Sequence, residues 1–171
     1  GVRTYCHHFE ENDRYGLIDL SHNGYADMDD PVFHRRRVVR LPGDIYILDD
    51  RLTGPGKQEH DMRLFFHFAP GRLVKMGENC YAYYTTRETK YRIFGFSTGK
   101  YLCGMLNGSE DPIGGWISFG YANRQPAPQL WTKADAAVPL RWVHVIAPDG
   151  ISCSGSVHME GAELILEGKG R

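Results

Sequence analysis

The sequence lacks the features that mark several common functional classes. Its four cysteines form no Cys-x-x-Cys pair, so a zinc ribbon is not indicated. No apolar run approaches the roughly 20 residues that a membrane helix needs. The 20 Lys and Arg residues are balanced by 21 Asp and Glu residues. Since nucleic-acid and membrane-surface binders are usually basic, neither class of partner is predicted.

Signatures of catalysis and of cofactors are equally scarce. There is no Gly-x-Ser-x-Gly elbow, and Gly114-Gly115 is too short to indicate a phosphate-binding loop. Of the eight histidines, His7 and His8 are adjacent, and neighbours on a strand point to opposite faces, so they do not chelate together. Many Asp and Glu residues are present, which prevents the assignment of a glycosidase pair. The sequence therefore predicts no catalytic residue, no metal site and no cofactor.

The cysteines are expected to be structural. Each lies beside apolar or aromatic residues in a predicted strand, which favours buried thiols. An even number permits disulfides but does not show one. The four positions are Cys6, Cys80, Cys103 and Cys153.

Alternation of apolar residues is the dominant pattern that is present. In residues 62–68, Met62, Leu64 and Phe66 fall on one face, as a strand with one buried face requires. Turns rich in Gly, Asn, Asp or Pro recur about every 10 residues, which is typical of an antiparallel sandwich or barrel. Strands are predicted over residues 3–9, 15–20, 32–41, 45–52, 62–68, 73–76, 80–85, 91–96, 101–106, 116–121, 140–146, 151–156 and 162–167.

This pattern predicts an all-β protein, a large two-layer antiparallel β-sandwich to which about 10–12 of these strands belong. We expect a single domain over residues 1–171, long enough to bury roughly 70% of its unfolded surface without a disulfide or metal. Residues 21–31 are predicted as a polar loop. Residues 121–136 are predicted as the longest loop, in which Trp131 either plugs the edge of the sandwich or lies in a cleft.

A basic cluster lies on the third predicted strand. Arg35 and Arg37 face away from His34 and Arg36 there, and an unpaired buried charge is very costly. At least one face must therefore be open or meet carboxylates. Guanidinium groups bind carboxylate and sulfate oxygens, so an acidic polysaccharide is one expected partner. Internal salt bridges are the alternative, because five aspartates are close in sequence: Asp27, Asp29, Asp30, Asp49 and Asp50.

Aromatic residues supply the other candidate contacts to a sugar. Most of them occupy alternating strand positions, where core packing is expected. Tyr25 is different, because it follows Gly24 in a polar stretch. His34, next to the arginines, is either hydrogen-bonded within the sheet or placed at the edge of a substrate cleft. The predicted substrate-binding residues are therefore Tyr25, His34, Arg35, Arg36 and Arg37.

The order of several short motifs between residues 14 and 148 resembles the C-terminal region of heparinase II/III-type polysaccharide lyases. The motifs are Gly24-Tyr25, His34-Arg35, Asp49-Asp50-Arg51-Leu52, Gly54-Pro55-Gly56, Phe66-His67-Phe68-Ala69-Pro70, Gly115-Trp116-Ile117-Ser118, Pro139-Leu140 and Ala147-Pro148. The resemblance implies a large β-sandwich packed behind an α/α-toroid. It also implies, for the full-length parent, β-elimination on glycans that contain uronate.

The family's catalytic Tyr and Asn belong to the toroid, and its catalytic and metal-binding histidines belong to the start of the β-domain, which includes a His-Asn-Thr segment. Here His22-Asn23 is followed by Gly24, so no catalytic or metal-binding residue is transferred. We therefore expect a C-terminal fragment of a longer protein. Export cannot be judged from these residues, so the localisation is not predicted, although a periplasmic or secreted parent is compatible with the resemblance.

Three functions follow as hypotheses. The first is a non-catalytic β-sandwich that supports the upstream toroid of the same chain and lines its glycan cleft. The second is an autonomous carbohydrate-binding module for acidic glycans. The third is a sugar-modifying enzyme on a mutarotase-like sandwich, with His34 or His67 as acid or base. The third requires a carboxylate within hydrogen-bond reach of that histidine, inside a concave pocket.

Overall fold

β-Strands make up the regular structure of the computed structural model, which describes residues 1–168. Among these residues no helix is long and apolar enough to cross a membrane. The strands are β1 (Thr4–Glu11), β2 (Gly16–Tyr25), β3 (Val32–Leu41), β4 (Ile45–Thr53), β5 (His60–His67), β6 (Gly71–Lys75), β7 (Cys80–Thr85), β8 (Lys90–Ser97), β9 (Leu102–Asn107), β10 (Ser109–Glu110), β11 (Ile113–Gly114), β12 (Trp116–Gly120), β13 (Asn123–Pro126), β14 (Pro128–Ala136), β15 (Leu140–Pro148), β16 (Ile151–Val157) and β17 (Ala162–Gly168). The predicted all-β sandwich is confirmed.

Two antiparallel sheets of unequal width form the sandwich. The large sheet has eight strands in the order β1-β2-β3-β4-β15-β8-β7-β6, and the small sheet has three in the order β5-β14-β9. Three hairpins, β10–β11, β12–β13 and β16–β17, complete the described chain. We call the face of the large sheet that packs on the small sheet its inner face, and the opposite side its outer face.

Apolar residues from both sheets meet at the inner face in two clusters. In the first cluster, Leu52 and Trp142 of the large sheet pack near Met62 and Ala134 of the small sheet. The second cluster is built mainly from β7 and β8 and is completed by Leu130 of β14. The centre of the outer face is also covered, since Val145 is fully buried and Arg141 donates a hydrogen bond to the carbonyl oxygen of His158 beyond β16.

The prediction of a loop over residues 121–136 is wrong. This stretch contains β13 and then β14, the central strand of the small sheet. Pro128 misled the interpretation, although proline is tolerated at the first residue of a strand because its missing N–H is not needed there. Leu130, Thr132 and Ala134 alternate as its buried face. Trp131 neither plugs an edge nor lies in the cleft described below, but packs opposite Gly104 of β9.

Two smaller expectations also differ from the structure. The polar loop predicted for residues 21–31 is shorter, because β2 continues to Tyr25 through an irregular pairing with β3. Burial of all four thiols is wrong for Cys6, which is exposed on the edge strand β1, and the other three cysteines are partly buried. All four are free. Burial raises the pKa of the Cys153 thiol to about 11.

The small sheet leaves one side of the large sheet uncovered. On β1, β2 and β3 the residues that share the inner face with Asp50 and Trp142 include several apolar side chains. Phe9 is 67% exposed and Leu20 is 37% exposed. We call this surface the open face; it consists of Cys6, Phe9, Ile18, Leu20 and Val38.

Candidate functional site

A cleft of about 460 Å³ separates the inner face of β3, β4 and β15 from β5. Tyr25, the last residue of β2, and Met28, in the turn that follows, also line this cleft. The walls are mainly apolar, and His34 and Asp50 are polar groups on the inner face. Among the residues that line the cleft are Tyr25, Met28, His34, Asp50, Met62 and Trp142.

Asp50 is the charged centre of the cleft. It is 1% exposed, and its Oδ1 atom lies 2.6 Å from Nε2 of His34. Arg36 donates to both carboxylate oxygens, at 2.7 Å from Nε and 3.2 Å from Nη2. Burial acts to raise the pKa of Asp50, but the hydrogen bonds from His34 and Arg36 outweigh it and hold the pKa below its usual value. A buried carboxylate is thereby kept ionised.

The hydrogen bonds that lead to Asp50 run in one direction. The backbone N–H of Gly24 donates to Nδ1 of His22 at 3.0 Å, so that nitrogen carries no proton. Nε2 of His22 then donates to Nδ1 of His34 at 3.1 Å, and Nε2 of His34 donates to Asp50. Burial, followed by the nearby His34, lowers the pKa of His22. The chain of bonds fixes the end of β2 to the inner face, and it occupies both ring nitrogens of His34.

The remaining arginines of the cluster lie on the outer face. Asp19 of β2, which is 4% exposed, accepts two hydrogen bonds from Arg35 at 2.7 and 2.8 Å and one from Arg37 at 2.7 Å. The hydrogen bonds from Arg35 are the largest effect, followed by burial, which opposes them; with those of Arg37 they hold the pKa of Asp19 at about 2. Asp49 is bound in the same way by Arg141. Internal salt bridges therefore form, as the alternative interpretation of the basic cluster expected, but with different partners. Of the five aspartates close in sequence only Asp50 binds an arginine of the cluster, and Asp19 binds Arg35 and Arg37.

The structure brings together only some of the predicted site residues. Tyr25 and His34 line one cleft, and Arg36 reaches the same carboxylate as His34. Arg35 and Arg37 point to the opposite side of the sheet. Tyr25 is 48% exposed, and its ring packs edge-on against His22 with the ring centroids 5.3 Å apart. A glycan contact by all five residues at once would therefore need both faces of β3.

Several important residues were not singled out from the sequence. Asp19 is the partner of two arginines, and the hairpin of β2 and β3, which pairs Asp19 with Arg37, is the signal that identifies it. Trp142 lines the cleft at 2% exposure, and its Nε1–H has no acceptor among residues 1–168.

Core packing, expected for most aromatic residues, does not hold for Tyr121, which is fully exposed between β12 and β13.

A second buried carboxylate anchors the approach to β5. Asp30 is 7% exposed; it accepts a hydrogen bond from the backbone N–H of Gln58 at 2.9 Å and lies 3.2 Å from Nε2 of His60. Gly56 allows this contact, since a Cβ atom there would overlap the Asp30 carboxylate. The loop that carries Met28 is thus tied to the start of β5, at the cleft's far wall.

Within the described residues, no three His, Cys, Asp or Glu side chains are arranged to hold a metal ion. The cleft does meet the geometric condition for acid–base chemistry, because His34 and a carboxylate are in contact in a concave site. His67, the other candidate, is exposed on β5 beside Phe65. What the cluster can do chemically is limited, however, because each ring nitrogen of His34 already has a protein partner.

The sequence and the fold were compared with those of known proteins. The family model described as "Heparinase II/III-like, C-terminal" matches residues 2–160. A heparan sulfate lyase, HepC of Pedobacter heparinus, superposes with a TM-score of 0.75 at 10% identity over 97% of this chain and 28% of that one. A heparinase III gives 0.76 at 19% identity over 97% and 26%. The chain therefore spans little more than a quarter of these structures. Among curated proteins, none matches this sequence significantly.

Proposed function

The chain belongs to the heparinase II/III-like C-terminal family, and from that premise we propose that it is the non-catalytic β-sandwich of a polysaccharide lyase. In the longer parent protein it supports an upstream catalytic domain, an α/α-toroid. The end of the sandwich that carries Tyr25 lines one side of the glycan cleft. The parent cleaves uronate-containing glycans by β-elimination.

One observation carries the non-catalytic role: the polar groups of the cleft bind one another. Asp50 receives three hydrogen bonds from His34 and Arg36, and His34 is also bonded to His22. A general acid or base needs a nitrogen or oxygen that can reach the substrate's proton. Because both nitrogens of His34 are occupied, the acid–base hypothesis on a mutarotase-like sandwich is less well supported. The cluster instead positions the end of β2, which bears Tyr25.

A lyase assay tests the proposal. The 171-residue chain and its longer parent are incubated with heparan sulfate, hyaluronan and alginate, and the absorbance of the unsaturated uronate product is followed. We expect product from the parent and none from the 171-residue chain. Turnover by the chain alone at a rate typical of enzymes would overturn the non-catalytic role. A parent that is folded but releases no product from any of the three glycans would overturn the lyase assignment.

A second candidate, an autonomous module that binds acidic glycans, is favoured by the exposure of Tyr25. Tyr25 is 48% exposed and lines the cleft, and an exposed aromatic ring can stack on a sugar ring. Isothermal titration of acidic oligosaccharides into the 171-residue chain tests it. Saturable binding that is weakened by Tyr25→Ala, but not by Tyr121→Ala on the remote hairpin, would support the module. No binding at millimolar ligand would remove it.

A further inference from the structure

The strand β5 has one unpaired edge. It is paired along its whole length with β14, and in the described part of the chain no strand lies on its other side. An edge of eight residues presents alternate backbone N–H and C=O groups that can bond another strand. No bulge interrupts the pairing of β5 with β14, so the strand is regular enough to continue the sheet.

The cleft runs along this edge. Five consecutive residues of β5, numbers 60–64, line it. Side chains of successive strand residues point to opposite faces of a sheet, so one face of β5 cannot supply all five. The cleft therefore borders the backbone edge of β5 as well as its inner face. Its floor, on the large sheet, is apolar at Trp142, and Met62 of β5 packs near it from the small sheet.

The open face continues the floor beyond the cleft. β1 and β2 extend the large sheet beyond β3, which forms one wall of the cleft with β4 and β15, by roughly 10 Å at about 4.8 Å for each strand. Phe9 and Leu20 lie on that surface and are exposed. At the opposite end of the sandwich the inner face is covered instead, as Tyr81 of β7 and Ile93 of β8 are 2% and 1% exposed. The small sheet is thus incomplete on the β5 side.

We propose that β5 is the docking edge for an additional β-strand, supplied by the parent polypeptide upstream of this region, which fills the cleft and begins the missing cover of β1–β3. In the incoming strand apolar and polar residues would alternate. The apolar residues would lie on the same side as Met62 and contact the open face, and the polar residues would face solvent. An acceptor on it would satisfy the buried Nε1–H of Trp142. By width, β1 and β2 accommodate about two such strands.

The same polypeptide is the favoured donor for two reasons. The matching family is described as C-terminal, and the similar structures are chains of which this one covers 26 to 28%. A strand in the same chain is also present at a high effective concentration, so it needs no large interface of its own. The inference rests on the part of the proposed function that makes this region one portion of a longer chain, but not on the lyase activity.

Amide hydrogen exchange, followed by mass spectrometry, tests the inference in both proteins. In the longer parent we expect exchange in β5 to be slower than in the 171-residue chain by roughly 100-fold or more, since added strand bonds must open first. We also expect Phe9→Gln and Leu20→Gln to lower the thermal midpoint of the parent while leaving that of the 171-residue chain almost unchanged. Phe33→Gln is the matched control, because Phe33 is 46% exposed on the outer face of β3.

Two outcomes would overturn the inference. Equal exchange of β5 in the two proteins means that no strand is added at this edge. A 171-residue chain that sediments as a dimer, with β5 protected in the dimer, means that a second copy is the occupant. The lyase proposal fails separately: a parent with protected β5 and no glycan cleavage contradicts the activity alone, and an active parent with unprotected β5 contradicts the added strand alone.

Discussion

The Nε2 atom of His34 lies 2.6 Å from the Oδ1 atom of Asp50, and both residues stand on the inner face of the large sheet. Arg36, two residues along β3, donates to both oxygens of the same carboxylate. The side chains of His34 and Arg36 are 21% and 32% exposed, whereas that of Asp50 is 2% exposed. The buried carboxylate of Asp50 therefore holds both His34 and Arg36 between the cleft and the body of the sheet.

Replacement of Asp50 by Asn is expected to destabilise the fold strongly. Arg36 would keep its charge without a carboxylate, and removal of one partner of a buried ion pair typically costs about 3 kcal/mol. Urea unfolding followed by tryptophan fluorescence measures the loss. Asp61→Asn is the control, because Asp61 pairs with Arg63 in the open and should matter little. Similar unfolding midpoints for the two variants would contradict the central role of Asp50.

Acidification from pH 7.5 to pH 5 should lower the free energy of unfolding. His144 is 1% exposed, and burial is the main cause that lowers its pKa from 6.5 to about 4. Between pH 6.5 and about 4 the unfolded chain binds a proton at His144 that the folded protein does not bind, so the free energy of unfolding falls as the pH falls through this window. The loss is on the order of 2–3 kcal/mol when the window has been crossed.

Urea unfolding at several pH values, compared between the natural chain and His144→Gln, measures this effect. The variant should lose a large part of the dependence between pH 6.5 and 4, while His67→Gln, at an exposed position, should retain it. His22, whose pKa is also lowered by burial, contributes in the same direction. A natural chain whose stability stays constant from pH 7.5 to 4.5 would refute the prediction.

Insertion of a methyl group at Gly104 should destabilise the small sheet. A Cβ atom there would lie 2.3 Å from Cζ2 of Trp131 on the paired strand, which is far inside van der Waals contact. Overpacking of this kind costs about 1–3 kcal/mol. Thermal unfolding of Gly104→Ala should show the loss, and Gly120→Ala, where no atom lies within 4 Å of the new Cβ, should not show it.

A double-mutant cycle identifies Trp131 as the cause. In a Trp131→Ala background the same Gly104→Ala change should cost almost nothing, because the indole that it meets is gone. Equal costs in both backgrounds would show that the glycine is required for another reason.

Alternation was sufficient to predict most of the strands, because a strand with one buried face shows its period in any local window. β3 is the clearest example: its parity separates His34 and Arg36 from Arg35 and Arg37, as the structure has it. The strand β14 was missed because Pro128 and a row of polar residues concealed its alternation. Its buried face carries Thr132 and Ala134, which hydropathy alone does not mark as core.

The sequence by itself determined the fold class, the parity of β3 and the need of its arginines for carboxylates, since each depends on local alternation or on the cost of burying a charge. Only the tertiary structure decided which aspartates meet which arginines, because Asp19 and Asp50 are brought to β3 by pairing with strands on either side. It also revealed the unequal widths of the two sheets. Coverage of a face depends on contacts far apart in the chain, and no local pattern records it.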